Sequence, residues 1–174
     1  MKITGRNIKR RLYGLRSLPS NIKRARYFRG HGVHSPFVYA IVRGVFMQSS
    51  LLGEERALYD ALIAKGVARR RAIQLQNLML HLHYDTFCID PQGTECDNCQ
   101  MIISTIEQPS AMLPSLAQKA QEYGQTLCII APSLDRERDT ICNSIVASHP
   151  CTSVDNRGYL LLFNNHLPKQ KFRL

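Results

Sequence analysis

The chain has 174 residues, 44% hydrophobic and 21% charged, with 10 Gly, 8 Pro and no Trp. That length suits one domain with a small appendage, large enough to hold a core without disulfides or a metal, and the apolar content excludes a wholly disordered chain. No apolar run approaches the roughly 18 residues that cross a bilayer, so no membrane span is expected.

The formal net charge is +10, and it is unevenly placed. Residues 1–53 carry 11 Lys and Arg and no acid, Glu54 being the first carboxylate, whereas the remainder holds 12 basic and 13 acidic residues. Residues 1–30 therefore read as a basic arm, with Gly14 and Pro19 breaking any long helix. Lys9, Arg10, Arg11, Lys23, Arg24, Arg26 and Arg29 are its candidate contacts to nucleic acid or another anionic partner, and Tyr13, Tyr27 and Phe28 could stack on bases. The arm lacks the uninterrupted apolar stretch of a secretory signal, so a cytoplasmic location is expected. In that reducing compartment the six cysteines are expected as thiols, not bridges.

Residues 31–84 read as a helical region. Ser35 is placed as an N-cap and Pro36 as the first helical residue, ahead of a stripe formed by Phe37, Val38, Ile41, Val42, Val45 and Phe46. A second helix is predicted over Glu54–Ala64, with both leading carboxylates at its positive end. A third is predicted from near Arg70 to His83, burying Ile73, Leu75, Leu78, Met79 and Leu82.

Residues 85–174 read as an α/β domain. Thr86–Asp90 and Gln100–Ile106 are predicted strands, and Met112–Tyr123 a helix closed by Gly124. Thr126–Ala131 is a continuous apolar run, as in a strand covered on both faces, with Cys128 in the core. Asp135–Ser148 is a predicted helix with Ile141, Ile145 and Val146 inward. Cys151–Asp155 and Tyr159–Phe163 form a hairpin about Asn156-Arg157-Gly158. Such an order implies a mostly parallel sheet with an antiparallel edge.

Two stretches carry a resemblance. RGHGVHSPFVYAIVRGVF (residues 29–46) resembles the opening segment of a bacterial family of class I S-adenosylmethionine-dependent methyltransferase-like proteins. HP at 149–150 with VDNRGYLLLFNNHLPKQKFRL from Val154 resembles that family's closing hairpin. The resemblance implies a Rossmann-like sheet, with TFCID as its first strand, QMIISTI its fourth and TLCIIA its fifth. The middle of the chain departs from the family. Only Asp90 and Gly93 match the cofactor loop, where several glycines are the pattern, and about nine residues separate the first two strands, too few for a strand–helix–strand crossover. Strands two and three are missing, and with them the acid that would hold the ribose.

The expected fold is thus a reduced Rossmann-like sheet, mostly parallel, with an antiparallel C-terminal hairpin and preceding helices. The expected function is that of a methyltransferase-like protein with an incomplete S-adenosylmethionine pocket, acting by binding. An active, shortened methyltransferase and a nucleic-acid-binding accessory protein are the alternatives. No cofactor is expected unless the chain is active, in which case S-adenosylmethionine is implied. The sheet edge bared by the missing strands is a candidate homodimer contact.

His31 and His34 bracket the HGVH turn as candidate substrate contacts, the plainer reading being that their rings fix the backbone. Ser133 and Asp135 follow the fifth strand, a position that contributes to the substrate site in the family. The alternating charges of Asp135, Arg136, Glu137, Arg138 and Asp139 read as a solvated helix start. Cys96-Asp-Asn-Cys99 has the spacing of a redox dithiol or half a zinc site, but no second CxxC or HxxxH completes it, so no metal is expected.

Overall fold

The computed structural model describes Tyr13 and residues 33–92, 96–165 and 167–174. Five α-helices are described: α1 (Pro36–Ile41), α2 (Ala57–Ala64), α3 (Arg69–Leu82), α4 (Leu113–Glu122) and α5 (Arg136–Ser148). Six strands form one sheet: β1 (Phe87–Ile89), β2 (Met101–Ser104), β3 (Thr126–Ile130), β4 (Ser153–Asp155), β5 (Tyr159–Leu162) and β6 (Lys171–Arg173). Their order across the sheet is β1-β2-β3-β5-β4-β6. β1, β2 and β3 pair in parallel, β5 is antiparallel to both its neighbours, and β6 adds in parallel to β4. The fold is α/β, and its sheet is mostly parallel with an antiparallel C-terminal hairpin.

Side-chain alternation makes two cores. Met101, Ile103, Cys128, Ile130, Val154, Tyr159 and Leu161 face the N-terminal helices, in one cluster with Ile41, Phe46, Leu58, Leu62, Leu75 and Leu78. Ile102, Leu127, Ile129, Leu160 and Leu162 face the other way, onto Leu113 and Leu116 of α4 and Cys142 and Ile145 of α5. Helices thus cover both faces, which is why strands β2 and β3 are buried at every position and mostly apolar.

Local signals place most of these boundaries. The Ser35 hydroxyl accepts the Val38 N–H at 3.4 Å, and Pro36 opens α1. α1 then loosens into a π-turn over Val42–Phe46, which keeps Val42, Val45 and Phe46 buried. α2 starts at Ala57, three residues later than predicted, because Glu55 folds back to accept the N–H groups of Arg56 and Ala57 at 3.0 and 2.8 Å. α3 buries Gln74, Gln76 and Asn77 as well as its apolar stripe. Their amides hold the preceding segments in place: Gln74 donates to Phe46 O, Gln76 accepts Tyr59 N–H, and Asn77 bonds both Ser50 O and Leu52 N–H.

The parallel pair β1–β2 is joined by residues 90–100 with no described helix between. That return is short because the strands are short. It lies against the α4 side, where Gln125 Nε2 donates to Cys96 O and Cys99 O at 2.5 and 2.8 Å and Lys119 pairs with Asp97 at 2.5 Å. The expectation that every cysteine is a thiol fails here. Cys88 and Cys96 are disulfide-bonded, with Cα atoms 5.7 Å apart, while Cys99, Cys128, Cys142 and Cys151 are free. β1 aims Cys88 at the face the return loop crosses, so tertiary placement, not the CxxC spacing, selects the partner. β6 is a further strand with no forecast in the sequence.

Candidate functional site

The carboxyl ends of β1, β2, β3 and β4 lie along one edge of the sheet, the edge at which open α/β sheets hold their ligands. Three of these ends turn through non-glycine residues with left-handed backbones: Asp90 (φ 50), Ala131 (φ 48) and Arg157 (φ 56). Such residues are uncommon outside glycine and need surrounding bonds to hold them.

At the end of β1 those bonds consume the candidate cofactor residue. The Asp90 N–H donates to Ile103 O at 2.9 Å. Its carboxylate accepts the Thr105 N–H at 2.6 Å through one oxygen and the Thr105 hydroxyl at 2.7 Å through the other. Lys65, just past α2, stands 3.4 Å from Asp90 and 2.6 Å from Glu107. The hydrogen bond to Glu107 is the main cause that raises the Lys65 pKa, with Asp90 adding to it. Asp90 therefore ties the end of β1 to the end of β2. Gly93, the other residue matched to the cofactor loop, lies outside the described residues.

Among the described residues, Asp90 offers S-adenosylmethionine no free carboxylate oxygen. A cofactor loop must turn unpaired polar groups toward an open crevice, and both Asp90 oxygens are engaged by protein. The crevice itself arises where successive crossovers run to opposite sides of the first strand. Among the described strands, β1, β2 and β3 follow one another across the sheet in chain order, with β1 at the edge and no such switch point beside it.

Beyond β3, Asp135 caps α5 by accepting the Arg138 N–H at 3.0 Å. Ser133 donates to Asp139 at 3.2 Å, Asn143 to the same oxygen at 3.0 Å, and the Tyr13 hydroxyl to the other oxygen at 2.6 Å. Ser133 and Asp135 thus sit at one helix start. Their polar groups close around Asp139 beside a cleft of about 110 Å³ that runs over β4 and β6. Tyr13 thus reaches the first turns of α5. His34 is exposed ahead of the α1 cap. His31, Lys9, Arg10, Arg11, Lys23, Arg24, Arg26 and Arg29 lie outside the described residues.

The residue that sequence reasoning missed is Arg138. Read as part of a solvated charge run, it is 1% exposed. Its guanidinium donates to Gln108 O (3.2 Å), Thr105 O (2.9 Å), Ile130 O (3.2 Å) and Ser104 Oγ (3.3 Å). Burial lowers its pKa, opposed by the nearby Cys142, Asp135 and Asp90. It makes no ion pair among the described residues, so backbone carbonyls carry the charge. One cation thereby clamps the ends of β2 and β3 and the loop before α4. The signal was available: Arg138 lies in helical register with Cys142 and Ile145, the buried stripe of α5.

A second network occupies the other face of this edge. Tyr159, fully buried, donates to Gln74 Oε1 at 3.3 Å and accepts from Asn156 Nδ2 at 2.9 Å. Arg71 donates to the same Gln74 oxygen at 2.9 Å and lies 5.5 Å from the Tyr159 ring centre. Its guanidinium packs flat on Gly158, where a Cβ would overlap the Arg71 Nε. Burial raises the Tyr159 pKa, which keeps the phenol neutral.

No group of three potential metal ligands is gathered among the described residues. Burial pushes the Cys142 thiol up to about 12 and raises those of Cys128 and Cys99. No helix among the described residues is long and apolar enough to cross a membrane. No family model, curated protein or solved structure matches the chain.

Proposed function

We propose that this protein is a methyltransferase-like, reduced Rossmann-type protein that has lost its S-adenosylmethionine pocket and acts by binding. The observation that carries this reading is Asp90, whose two carboxylate oxygens are held by Thr105 and approached by Lys65. Sheet order supports it. In a doubly wound sheet of order 3-2-1-4-5-6, strands one, four and five are neighbours, so loss of strands two and three leaves them adjacent and makes strand one an edge. β1, β2 and β3 stand in that relation, with an antiparallel strand following. That order is the one the loss of strands two and three would leave.

Calorimetric titration with S-adenosylmethionine and, separately, S-adenosylhomocysteine tests the reading. No heat at millimolar ligand is the expected result. Micromolar binding of either would overturn it, because a pocket would then exist despite the engaged Asp90.

A further inference from the structure

Among the described residues, β1 is bonded on one side only. Thr86 O accepts from Gln100 and Met101, and Asp90 N–H donates to Ile103 O, so these residues face β2. By the alternation of a strand, Phe87 and Ile89 turn their own N–H and C=O groups outward, away from the sheet. Unpaired edges of this kind accept an added strand.

Beside that edge lies a groove of about 460 Å³ between α3, Phe87 and the segment leading into α2. Leu58, Met79, Leu80, Tyr84 and Phe87 give it an apolar floor. Leu80 and, just outside, Leu52 are 47% and 51% exposed, large apolar side chains left in water. Its acidic lining is Glu54, Glu55 and Asp85, joined by His83 and, among the described residues, by no Lys or Arg. On a chain of formal net charge +10 this is an acidic island.

We propose that the outer edge of β1 and this groove form a docking surface for an extended basic segment of a partner protein. The segment adds as a strand to β1, and every second residue, the side chains that face the groove, lays apolar groups on its floor and cations against the three carboxylates. Backbone bonds to Phe87 and Ile89 would supply register, and charge would select the partner. A second copy is the poorer occupant, because it would bring the same three carboxylates to the same edge as like charges. The proposal rests on the reading that the protein acts by binding, and names where.

The test uses the full chain and two synthetic peptides in which serine fills every other position, the groove-facing positions between carrying valine and lysine in turn in one peptide and valine and glutamate in the other. Fluorescence anisotropy is expected to show binding of the lysine peptide alone, with hydrogen-exchange protection gained at Phe87 and Ile89. The double variant Glu54→Lys/Asp85→Lys, whose side chains are both exposed, should keep its circular dichroism and lose about tenfold in affinity, as two attractive contacts become repulsive. Equal binding of both peptides, binding of neither, or a double variant that binds like the wild type would overturn the proposal. So would concentration-dependent dimerisation that protects Phe87 and Ile89, which would assign the edge to a second copy. The S-adenosylmethionine titration is independent of all these outcomes, so failure of the docking surface and failure of the parent reading are told apart.

Discussion

Arg138→Met replaces the buried guanidinium with an apolar chain of similar length and poses a question of sign. Substituting a buried charge by a packed hydrophobe can stabilise a protein, because the cost of stripping water from the ion disappears. At Arg138 the opposite is expected. Its donors satisfy three backbone carbonyls, at Thr105, Gln108 and Ile130, which belong to different segments and have no rotamer by which to find other partners. Leaving a buried acceptor unsatisfied costs about 1–3 kcal/mol. Three such losses, less the desolvation relieved, leave a net destabilisation of about 3 kcal/mol. For a chain of this size each kcal/mol moves the melting temperature by about 2–4 °C, so Arg138→Met should melt about 6–12 °C lower. Differential scanning calorimetry reads the shift, and hydrogen exchange should show loss of protection at the carboxyl ends of β2 and β3. Arg138→Lys should fall between, since one ammonium cannot reach all three carbonyls. An unchanged or raised melting temperature in Arg138→Met would refute the clamp, and with it the claim that these strand ends are held by a shared cation.

The Cys88–Cys96 bond closes a short loop, and Cys88→Ser should cost about 2–2.5 kcal/mol by loss of that constraint. Thermal melts with and without reductant should differ for the wild type and coincide for the variant; melts unaffected by reductant would remove the bond from the account. His149 is buried with Nε2 3.0 Å from Phe163 O, and burial is the main cause that holds its pKa below the ordinary 6.5. The folded state therefore binds fewer protons than the unfolded chain, so this contribution is complete above pH 6.5 and is lost as pH falls through the folded pKa. His149→Gln should flatten the fall in melting temperature on acidification, and an unaltered pH profile would show that another group titrates. Gly158→Ala should displace Arg71 from Gln74 and the Tyr159 ring and cost about 1–2 kcal/mol. The same substitution in an Arg71→Ala background should cost far less, and additive effects in urea melts would break the link.

Short-range chemistry made much of this protein legible from residues alone. The Ser35–Pro36 start, the apolar stripes of α1 and α3, the Gly124 stop and the apolar run of β3 are local patterns, and each element lies within a few residues of its expected place. The α/β class and the antiparallel hairpin followed from their order. Asp90 and Ser133 could be picked out as polar residues after strands, but not what they bond: Thr105 lies 15 residues from Asp90, and Tyr13 lies 126 from Asp139.

Amino-acid order by itself determined which segments are helices and strands, because hydrophobic period and capping act over a few residues. Only the tertiary structure decided what the buried charged and polar groups bond. Helical register could place Arg138 on the buried stripe of α5 but not name the three carbonyls that accept its hydrogen bonds, and Cys96 looks the same in sequence whether Cys88 or Cys99 is its partner. β6 needed β4 already in place, since a three-residue strand has no stability apart from the edge that pairs it. The edge of β1 was decided in the same way, by the strand that stands beside it and the side that no described strand occupies.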